Sequence, residues 1–270
     1  MADSVSEIIG PGDATECSGY HRPTMTDQLS MRLDPALPRL PEDLRPMLPR
    51  PAEAPFDSAD HLFEPSWGGE RALAFIESPD REPLRIVDGA GNDLSAMLPE
   101  LGDLGSRIVA RSAVIDGELV VVDDHGRADP AGLSSRLAGE TGPAVAYLVF
   151  DLLVVDGRPI LREPLSRRRQ ELHRLLTPGE SVVAVPAISG EGLALHAAVS
   201  AQGIAATMAR VRTSPYLPGI RSRLWRRVEA SRPGAPAIGP DGQVSLGLPN
   251  VPAGSPVLAV ISRLPFDEDV

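Results

Sequence analysis

The sequence contains no lysine, because all 26 of its basic residues are arginine. An arginine guanidinium keeps its proton at any accessible pH, whereas a lysine amine can lose its proton and become a nucleophile. The chain therefore excludes every mechanism that needs a nucleophilic side-chain amine. A genome rich in G and C explains the bias toward arginine, but the chemical consequence is unchanged.

Cysteine, aromatic residues and long apolar runs are also scarce. Cys17 is the only cysteine, which excludes an intramolecular disulfide and any cysteine-based metal cluster. Aromatic residues make up 4% of the chain, so each buried ring matters for packing. No apolar run approaches the roughly 18 residues of a membrane span, and the N-terminus lacks the pattern of a signal peptide. These features predict a soluble cytoplasmic protein without membrane association.

Composition divides the chain into three parts. Residues 1–44 mix glycine, proline, serine and charged residues, which predicts a disordered N-terminal tail. Residues 231–270 are predicted to form a second tail, rich in proline and glycine, and residues 45–230 one folded domain. The formal net charge of −11 argues against general affinity for a phosphate backbone.

Strands and helices alternate irregularly in the predicted domain, which indicates an α+β fold. The continuous apolar run at 144–155 predicts a central strand, and residues 112–127 a β-rich stretch that bends at Asp116–Gly117. The leucines of 164–176 share one helical face, which places the arginines at 167–169 on a solvated face. Further strands are predicted at 71–77, 83–89, 181–188, 203–209 and 223–230, and further helices at 95–104 and 192–203.

Six motifs in a fixed order resemble the adenylation domain of bacterial ATP-dependent DNA ligases, which belong to the covalent nucleotidyltransferase superfamily. The resemblance begins at residue 46 and covers about 185 residues. It implies a ligase-type nucleotidyltransferase (ATP-grasp-like) domain of antiparallel sheets flanked by helices. The motifs are EPSWGGER (64–71), AGNDLSAMLPEL (90–101), VIDGELVVVDDHGRAD (114–129), YLVFDLLVVDGR (147–158), EPLSRRRQELHRLL (163–176) and QGIAATMARVRTSPYLPGIRSRLWRRVEA (202–230).

Several positions depart from the family pattern. Ser66 occupies the position of the lysine that attacks the α-phosphate of ATP, and Gly68 replaces the aspartate of the same motif. The resemblance also aligns Gln202 with a glutamate that helps to hold a metal, Thr207 with a lysine, and Glu229 with a second phosphate-binding lysine. An amide is a poorer Mg²⁺ ligand than a carboxylate, so Mg²⁺ binding is not expected.

Other positions match the family's nucleotide contacts. Glu64 corresponds to the residue that reads the adenine amino group, and Phe150 to the aromatic residue that stacks on the base. Arg71 corresponds to a sugar and phosphate contact, Glu118 to a carboxylate near the ribose, and Arg227 to a phosphate-binding lysine. The resemblance thus implies weak binding of AMP or ATP, with adenosine or AMP binding about as well as ATP.

Four of these residues also have a structural interpretation. Phe150 fits a plain core position, and Glu64 fits a solvated position at a strand start. Arg71 and Glu118 fit a salt bridge across adjacent strands. Asp151 and Asp156, which flank an apolar segment, fit turn and edge positions.

The sequence therefore predicts a catalytically inactive nucleotide-binding or regulatory module, with a link to DNA repair and recombination inherited from the family. DNA is expected to bind weakly or not at all, and a protein partner in DNA repair is expected. About 40 residues follow residue 230, too few for the oligonucleotide-binding barrel that the family carries there. Two alternatives stay open: an active DNA ligase or nucleotidyltransferase that uses a non-lysine route, and a purely structural interaction protein.

Overall fold

The folded part of the chain starts earlier than the sequence predicts. The computed structural model describes residues 37–77, 84–123 and 127–230. The predicted C-terminal tail and most of the N-terminal tail lie outside these residues. Leu40 and Leu44, which the sequence pattern places in the N-terminal tail, are buried in the hydrophobic core. The end of that predicted tail therefore packs with the domain.

Within the described residues, eleven strands form two mainly antiparallel sheets, which confirms the predicted α+β class. The first sheet has five strands and the second has six. The strands are β1 (Leu48–Pro51), β2 (Ser58–Ser66), β3 (Glu70–Ile76), β4 (Leu84–Asp88), β5 (Ala113–Val120), β6 (Ala146–Val155), β7 (Arg158–Pro159), β8 (Val182–Ala184), β9 (Ile188–Gly190), β10 (Ala206–Val211) and β11 (Arg221–Glu229). The first sheet has the order β1-β11-β10-β2-β9, and the second has the order β4-β3-β5-β6-β7, with β8 also beside β6.

Strand β6 occupies the centre of the second sheet, as its continuous apolar run predicts. All of its residues are buried, and it pairs with β5 on one side and with β7 and β8 on the other. The predicted bend at Asp116–Gly117 is a register shift between β5 and β6. A Cβ atom on Gly117 would lie 2.5 Å from a ring carbon of Tyr147, so this close approach of the strands requires glycine.

The described residues form three α-helices. They are α1 (Pro130–Leu137), α2 (Leu165–Leu175) and α3 (Gly192–Ala201), of which α2 and α3 match predicted helices. Helix α1 is not predicted from the sequence, although its start has two recognisable features. Asp129 accepts a hydrogen bond from the Gly132 N–H at 2.9 Å, and Pro130 occupies the first helical position.

Two prolines divide segments that the sequence predicts as continuous elements. The predicted helix at 95–104 is wrong, because two short 3₁₀ turns replace it, Ser95–Met97 and Pro99–Leu101, the second of which begins at Pro99. The predicted strand at 181–188 is split around Pro186, which lacks the N–H needed for a ladder hydrogen bond. Its first part is β8 in the second sheet, and its end joins the first sheet as β9. The segment therefore connects the two sheets.

The two sheets share one hydrophobic core. Phe63 and Trp225 of the first sheet belong to the same buried cluster as Phe75 and Phe150 of the second. A further cluster covers the opposite face of the second sheet with the 3₁₀ turns and the end of α2. In the described parts of the chain, no helix is long and apolar enough to span a membrane.

A buried ion pair connects α2 to the centre of β6. Asp151 and Arg168 are both 0% exposed, and the guanidinium donates two hydrogen bonds of 2.8 Å to the carboxylate. Arg168 also donates to the Ser214 carbonyl at 3.0 Å. The expected turn or edge position of Asp151 is therefore wrong, and Arg168 does not lie on a solvated face. Asp156 does lie in a turn, with a φ of 49°.

Candidate functional site

One face of the first sheet carries several of the predicted site residues. On β2, this face presents Glu64 and Ser66, which are two residues apart. Met208 of β10 lies directly opposite Glu64, and Arg227 of β11 lies directly opposite Met208. Directly opposite side chains share a face of the sheet, and Arg210 follows Met208 with the same orientation. Strand pairing therefore brings together residues from three separate motifs.

The second sheet supplies the opposing wall. Arg71 on β3 lies directly opposite Glu118 on β5, and Phe150 comes from β6. The two walls enclose a cavity of about 290 Å³, near the lower limit of typical small-molecule sites. Ser66 and four of the five predicted nucleotide contacts line it. The lining residues are Leu48, Pro49, Pro65, Ser66, Gly68, Gly69, Arg71, Glu118, Phe150, Val185, Met208, Arg210 and Arg227.

Ser66, at the predicted nucleophile position, faces a carboxylate. Its Oγ lies 3.5 Å from Oε1 of Glu118, and the same oxygen accepts a hydrogen bond of 2.5 Å from the Gly69 N–H. Desolvation raises the pKa of Glu118, and the Gly69 hydrogen bond and the charge of Arg227 offset this only in part. The hydroxyl of Ser66 therefore has a buried carboxylate, and not an amine, as its hydrogen-bond neighbour.

The Gly68–Gly69 turn closes the cavity beside Ser66. Gly68 has a φ of +77°, where a side chain is strained, and its Cβ would lie 3.1 Å from that of Ala205. A Cβ on Gly69 would lie 2.0 Å from the Leu119 carbonyl oxygen, so this position requires glycine. The turn brings a backbone N–H within reach of Glu118, and an aspartate at residue 68 would be costly.

Arg71 pairs with Asp116 rather than with Glu118, so the predicted Arg71–Glu118 salt bridge is wrong. Its guanidinium donates two hydrogen bonds of 2.5 Å to the Asp116 carboxylate, and the Tyr216 hydroxyl donates a third to that carboxylate at 2.6 Å. Burial lowers the pKa of Arg71, but the Asp116 charge reverses this effect and leaves the pKa raised. Arg71 is therefore a fixed cation in the wall of the cavity.

Glu64 lies beneath the cavity and is 1% exposed, so the solvated interpretation is wrong. Arg169 of α2 donates to one of its carboxylate oxygens, and Arg210 of β10 donates to the other. Burial lowers the pKa of Arg210 to about 9 and that of Arg169 to about 10, so both stay protonated at neutral pH. Arg169 is also buried, and only Arg167 of the predicted solvated arginines is exposed.

Phe150 borders the cavity, but two guanidiniums cover its ring. The Cζ atoms of Arg71 and Arg210 lie 4.4 Å and 4.0 Å from the ring centroid. Trp225 contacts the ring edge-on at 6.3 Å between centroids. Only 4% of Phe150 is exposed, so this residue combines the predicted core position with a place at the edge of the cavity.

Gln202 and Thr207 do not line the cavity. Gln202 lies at the C-terminal end of α3. Thr207 faces the other side of β10, where its hydroxyl lies 3.1 Å from Nδ1 of His196. Strand alternation directs Met208 and Arg210 into the cavity instead. The expectation that Gln202 and Thr207 do not replace the family's metal-binding glutamate and phosphate-binding lysine stays a prediction.

The cavity would have to hold Mg²⁺ through oxygen ligands, of which this ion prefers several. Glu118 is the only carboxylate in its lining, as far as the described chain goes. Across residues 37–77, 84–123 and 127–230, no three histidine, cysteine or acidic side chains are grouped to hold a metal ion. Arg227, at the rim of the cavity, forms an ion pair with Glu229.

Comparison with known proteins decides the family. The profile described as ATP dependent DNA ligase domain matches residues 46–228, which is more than half of the chain. The chain belongs to this family. The structure of a mycobacterial DNA ligase D complexed with ATP and MES is 26% identical, with a TM-score of 0.57, and the match covers 70% of this chain and 60% of that chain. The predicted nucleotidyltransferase fold and ligase-like adenylation domain are thus confirmed.

Two curated relatives show how much of a ligase-family protein the chain represents. The multifunctional non-homologous end joining protein LigD of Mycolicibacterium smegmatis is 27% identical over 227 residues, which are 83% of this chain and 29% of LigD. The SPbeta prophage-derived DNA ligase-like protein LigB of Bacillus subtilis is 26% identical over 184 residues, which are 68% of this chain and 66% of LigB. The chain thus spans less than a third of LigD and about two thirds of LigB.

Three charged residues that organise the site are not predicted from the sequence: Asp116, Arg169 and Arg210. The predicted strand at 203–209 ends one residue before Arg210, so no direction is assigned to that side chain. Extending the alternation of β10 from Met208 would have placed it in the cavity. Asp116 is part of the Asp-Gly-Glu motif, but nothing in the motif indicates that it pairs with Arg71.

Proposed function

We propose that this ligase-family domain binds an adenine nucleotide weakly and reversibly, without forming a covalent adenylate, and acts as a binding or regulatory module. The replacement of the nucleophilic lysine by Ser66, in a chain without lysine, carries this proposal. A phosphoramidate with AMP requires an amine with a free electron pair. The guanidiniums of the cavity keep their protons and cannot supply one.

A second candidate function rests on the contact between Ser66 and Glu118. In this route, Oγ of Ser66 attacks the α-phosphorus of ATP, its proton passes to Glu118, and pyrophosphate leaves. The 3.5 Å separation and the hydrogen bond that Glu118 already accepts from Gly69 make it a poor general base. Loss of a nucleophile in other enzymes costs on the order of 10⁶ in rate, so we favour the inactive module.

Intact-mass measurement after incubation with ATP and Mg²⁺ tests the absence of the adenylate. We expect the unmodified mass for the unaltered protein and for the Ser66→Ala variant, because neither contains an amine nucleophile. A species heavier by one AMP in the unaltered protein, absent from Ser66→Ala and stable to acid, would establish the serine route. Phosphoramidates are acid-labile, so acid stability also distinguishes a serine ester from a nitrogen adduct.

The proposed site should not favour the triphosphate. Glu118 and Glu229 lie near the cations that would bind the β- and γ-phosphates, and the described lining offers Mg²⁺ one carboxylate. We therefore expect calorimetric titrations to give AMP and ATP affinities within about threefold of each other, with or without Mg²⁺. A preference of about tenfold or more for Mg·ATP, about 1.4 kcal/mol, would reveal a phosphate site that this cavity lacks.

The biological setting of this module is also a proposal. The name of the LigD relative includes non-homologous end joining, and this supports a role in DNA repair. A protein partner in that process stays a prediction from the sequence. The net charge of −11 supports weak DNA binding by the chain alone. The cytoplasmic location stays a prediction from the sequence.

A further inference from the structure

The buried ion cluster beneath the cavity has one carboxylate for two guanidiniums. Glu64 accepts from Arg169 through one oxygen and from Arg210 through the other. Arg169 also donates to the carbonyls of Phe150 and Val185. Arg210 has no such anchors, and its Nε has no hydrogen-bond partner among the described residues. Arg210 is therefore the more easily released of the two cations.

Arg210 also occupies the space that a stacked base would need. Its Cζ lies 4.0 Å from the centroid of the Phe150 ring, and Arg71 covers that ring at 4.4 Å. Both arginines border the cavity, but Arg71 is held there by two hydrogen bonds to Asp116. A flat ring can therefore reach Phe150 only when Arg210 moves.

Release of Arg210 leaves Glu64 paired but leaves the guanidinium without a partner. Glu64 keeps its ion pair with Arg169, so the carboxylate is not stranded in the core. A buried guanidinium that loses its carboxylate is strongly destabilised unless another anion replaces it. A phosphate can do so with two parallel hydrogen bonds, whereas a neutral nucleoside cannot.

We propose that Arg210 is an internal occupant of the base-binding part of the cavity and leaves it by exchanging Glu64 for a phosphate of the ligand. The cavity then selects nucleoside monophosphates over nucleosides, although the motif alignment implies similar affinities for adenosine and AMP. This inference rests on the proposed function of the cavity as an adenine nucleotide site. It makes Arg210 the residue that determines whether a ligand must carry a phosphate.

Calorimetric titration of the full chain with AMP and with adenosine tests the exchange. The unaltered protein should bind AMP at least about tenfold more tightly than adenosine. The Arg210→Met variant fills similar space without charge and should bind adenosine at least about tenfold more tightly than the unaltered protein, with little remaining preference for AMP. Arg212→Met is the matched control, because Arg212 is exposed and outside the cavity lining, and it should change neither affinity.

The outcomes separate this inference from the proposed function. Equal affinities of the unaltered protein for AMP and adenosine would overturn the exchange and leave nucleotide binding intact. The exchange is also overturned if adenosine affinity is unchanged in Arg210→Met and in Arg210→Gln, the second variant, which keeps a hydrogen-bond donor for Glu64. Adenosine binding that is detectable only in the Arg210 variants supports the exchange. If no protein binds either ligand, both proposals are wrong.

Discussion

Replacement of Arg168 by methionine is expected to lower the free energy of unfolding by about 3–5 kcal/mol, because it strands a buried carboxylate. Asp151 and Arg168 are both fully buried, and two hydrogen bonds join them. The substitution also leaves the Ser214 carbonyl without its guanidinium donor. Chemical denaturation at neutral pH measures the difference.

The loss of stability in Arg168→Met should depend on pH. Burial raises the pKa of Asp151, and Arg168 opposes that rise, so removal of Arg168 raises the pKa further. At pH values between the pKa of an unfolded aspartate and this raised pKa, the folded variant holds a proton that the unfolded chain has already released. Its stability therefore increases as the pH falls, and the deficit relative to the unaltered protein should be smaller at about pH 5 than at about pH 8.

Arg167→Met is the matched control for this prediction, because Arg167 lies on the same helix and is exposed. We expect a change within about 0.5 kcal/mol for this surface position. Similar effects of the two substitutions would show that the buried ion pair is not what stabilises the packing of α2 on β6. A deficit that does not vary with pH would show that Asp151 is not the stranded group.

Introduction of an amine by Ser66→Lys is expected to leave nick sealing undetectable. The amine would lie beside Glu118, which is 3.5 Å from Oγ of Ser66, and this carboxylate would hold it in the protonated form. Gly68 still replaces the motif's aspartate, and Arg210 still covers Phe150. The described cavity lining also lacks a second carboxylate for Mg²⁺.

A nicked-duplex sealing assay, with intact-mass measurement of the protein, tests this prediction. Ser66→Arg is the control, since it adds a long cation without a nucleophile. Efficient sealing by Ser66→Lys would show that Ser66 is the only defect of the site. Formation of an acid-labile AMP adduct without sealing would show that the first chemical step needs only the amine, and that later steps fail for other reasons.

Much of the architecture follows from local pattern. The apolar run at 144–155 is the central strand, and the leucine spacing at 164–176 gives α2. Two predicted elements are wrong because a proline interrupts the hydrophobic pattern. Pro99 divides a predicted helix, and Pro186 divides a predicted strand, because a residue without a backbone N–H cannot continue either hydrogen-bond pattern.

The candidate site was predictable as a set of residues, but its internal pairing was not. Ser66, Arg71, Glu118 and Arg227 line one cavity, as the order of the motifs indicates. Arg71, however, pairs with Asp116, although Glu118 lies directly opposite it on the neighbouring strand. The direction of the Arg71 side chain and the packing of other elements around it determine which carboxylate it contacts. The sequence pattern indicates neither of these.

The family and the chemistry that the chain excludes can be read from the order of residues, because a motif order and a missing amine are properties of the covalent chain. Only the tertiary structure shows which charged side chains pair with each other and which can contact a ligand. Glu64 and Arg210 are separated by 146 residues, yet they form one buried ion pair across β2 and β10. A buried charge is strongly destabilising unless an opposite charge lies beside it. The packing of elements that are distant in the sequence therefore determines which cation pairs with which carboxylate.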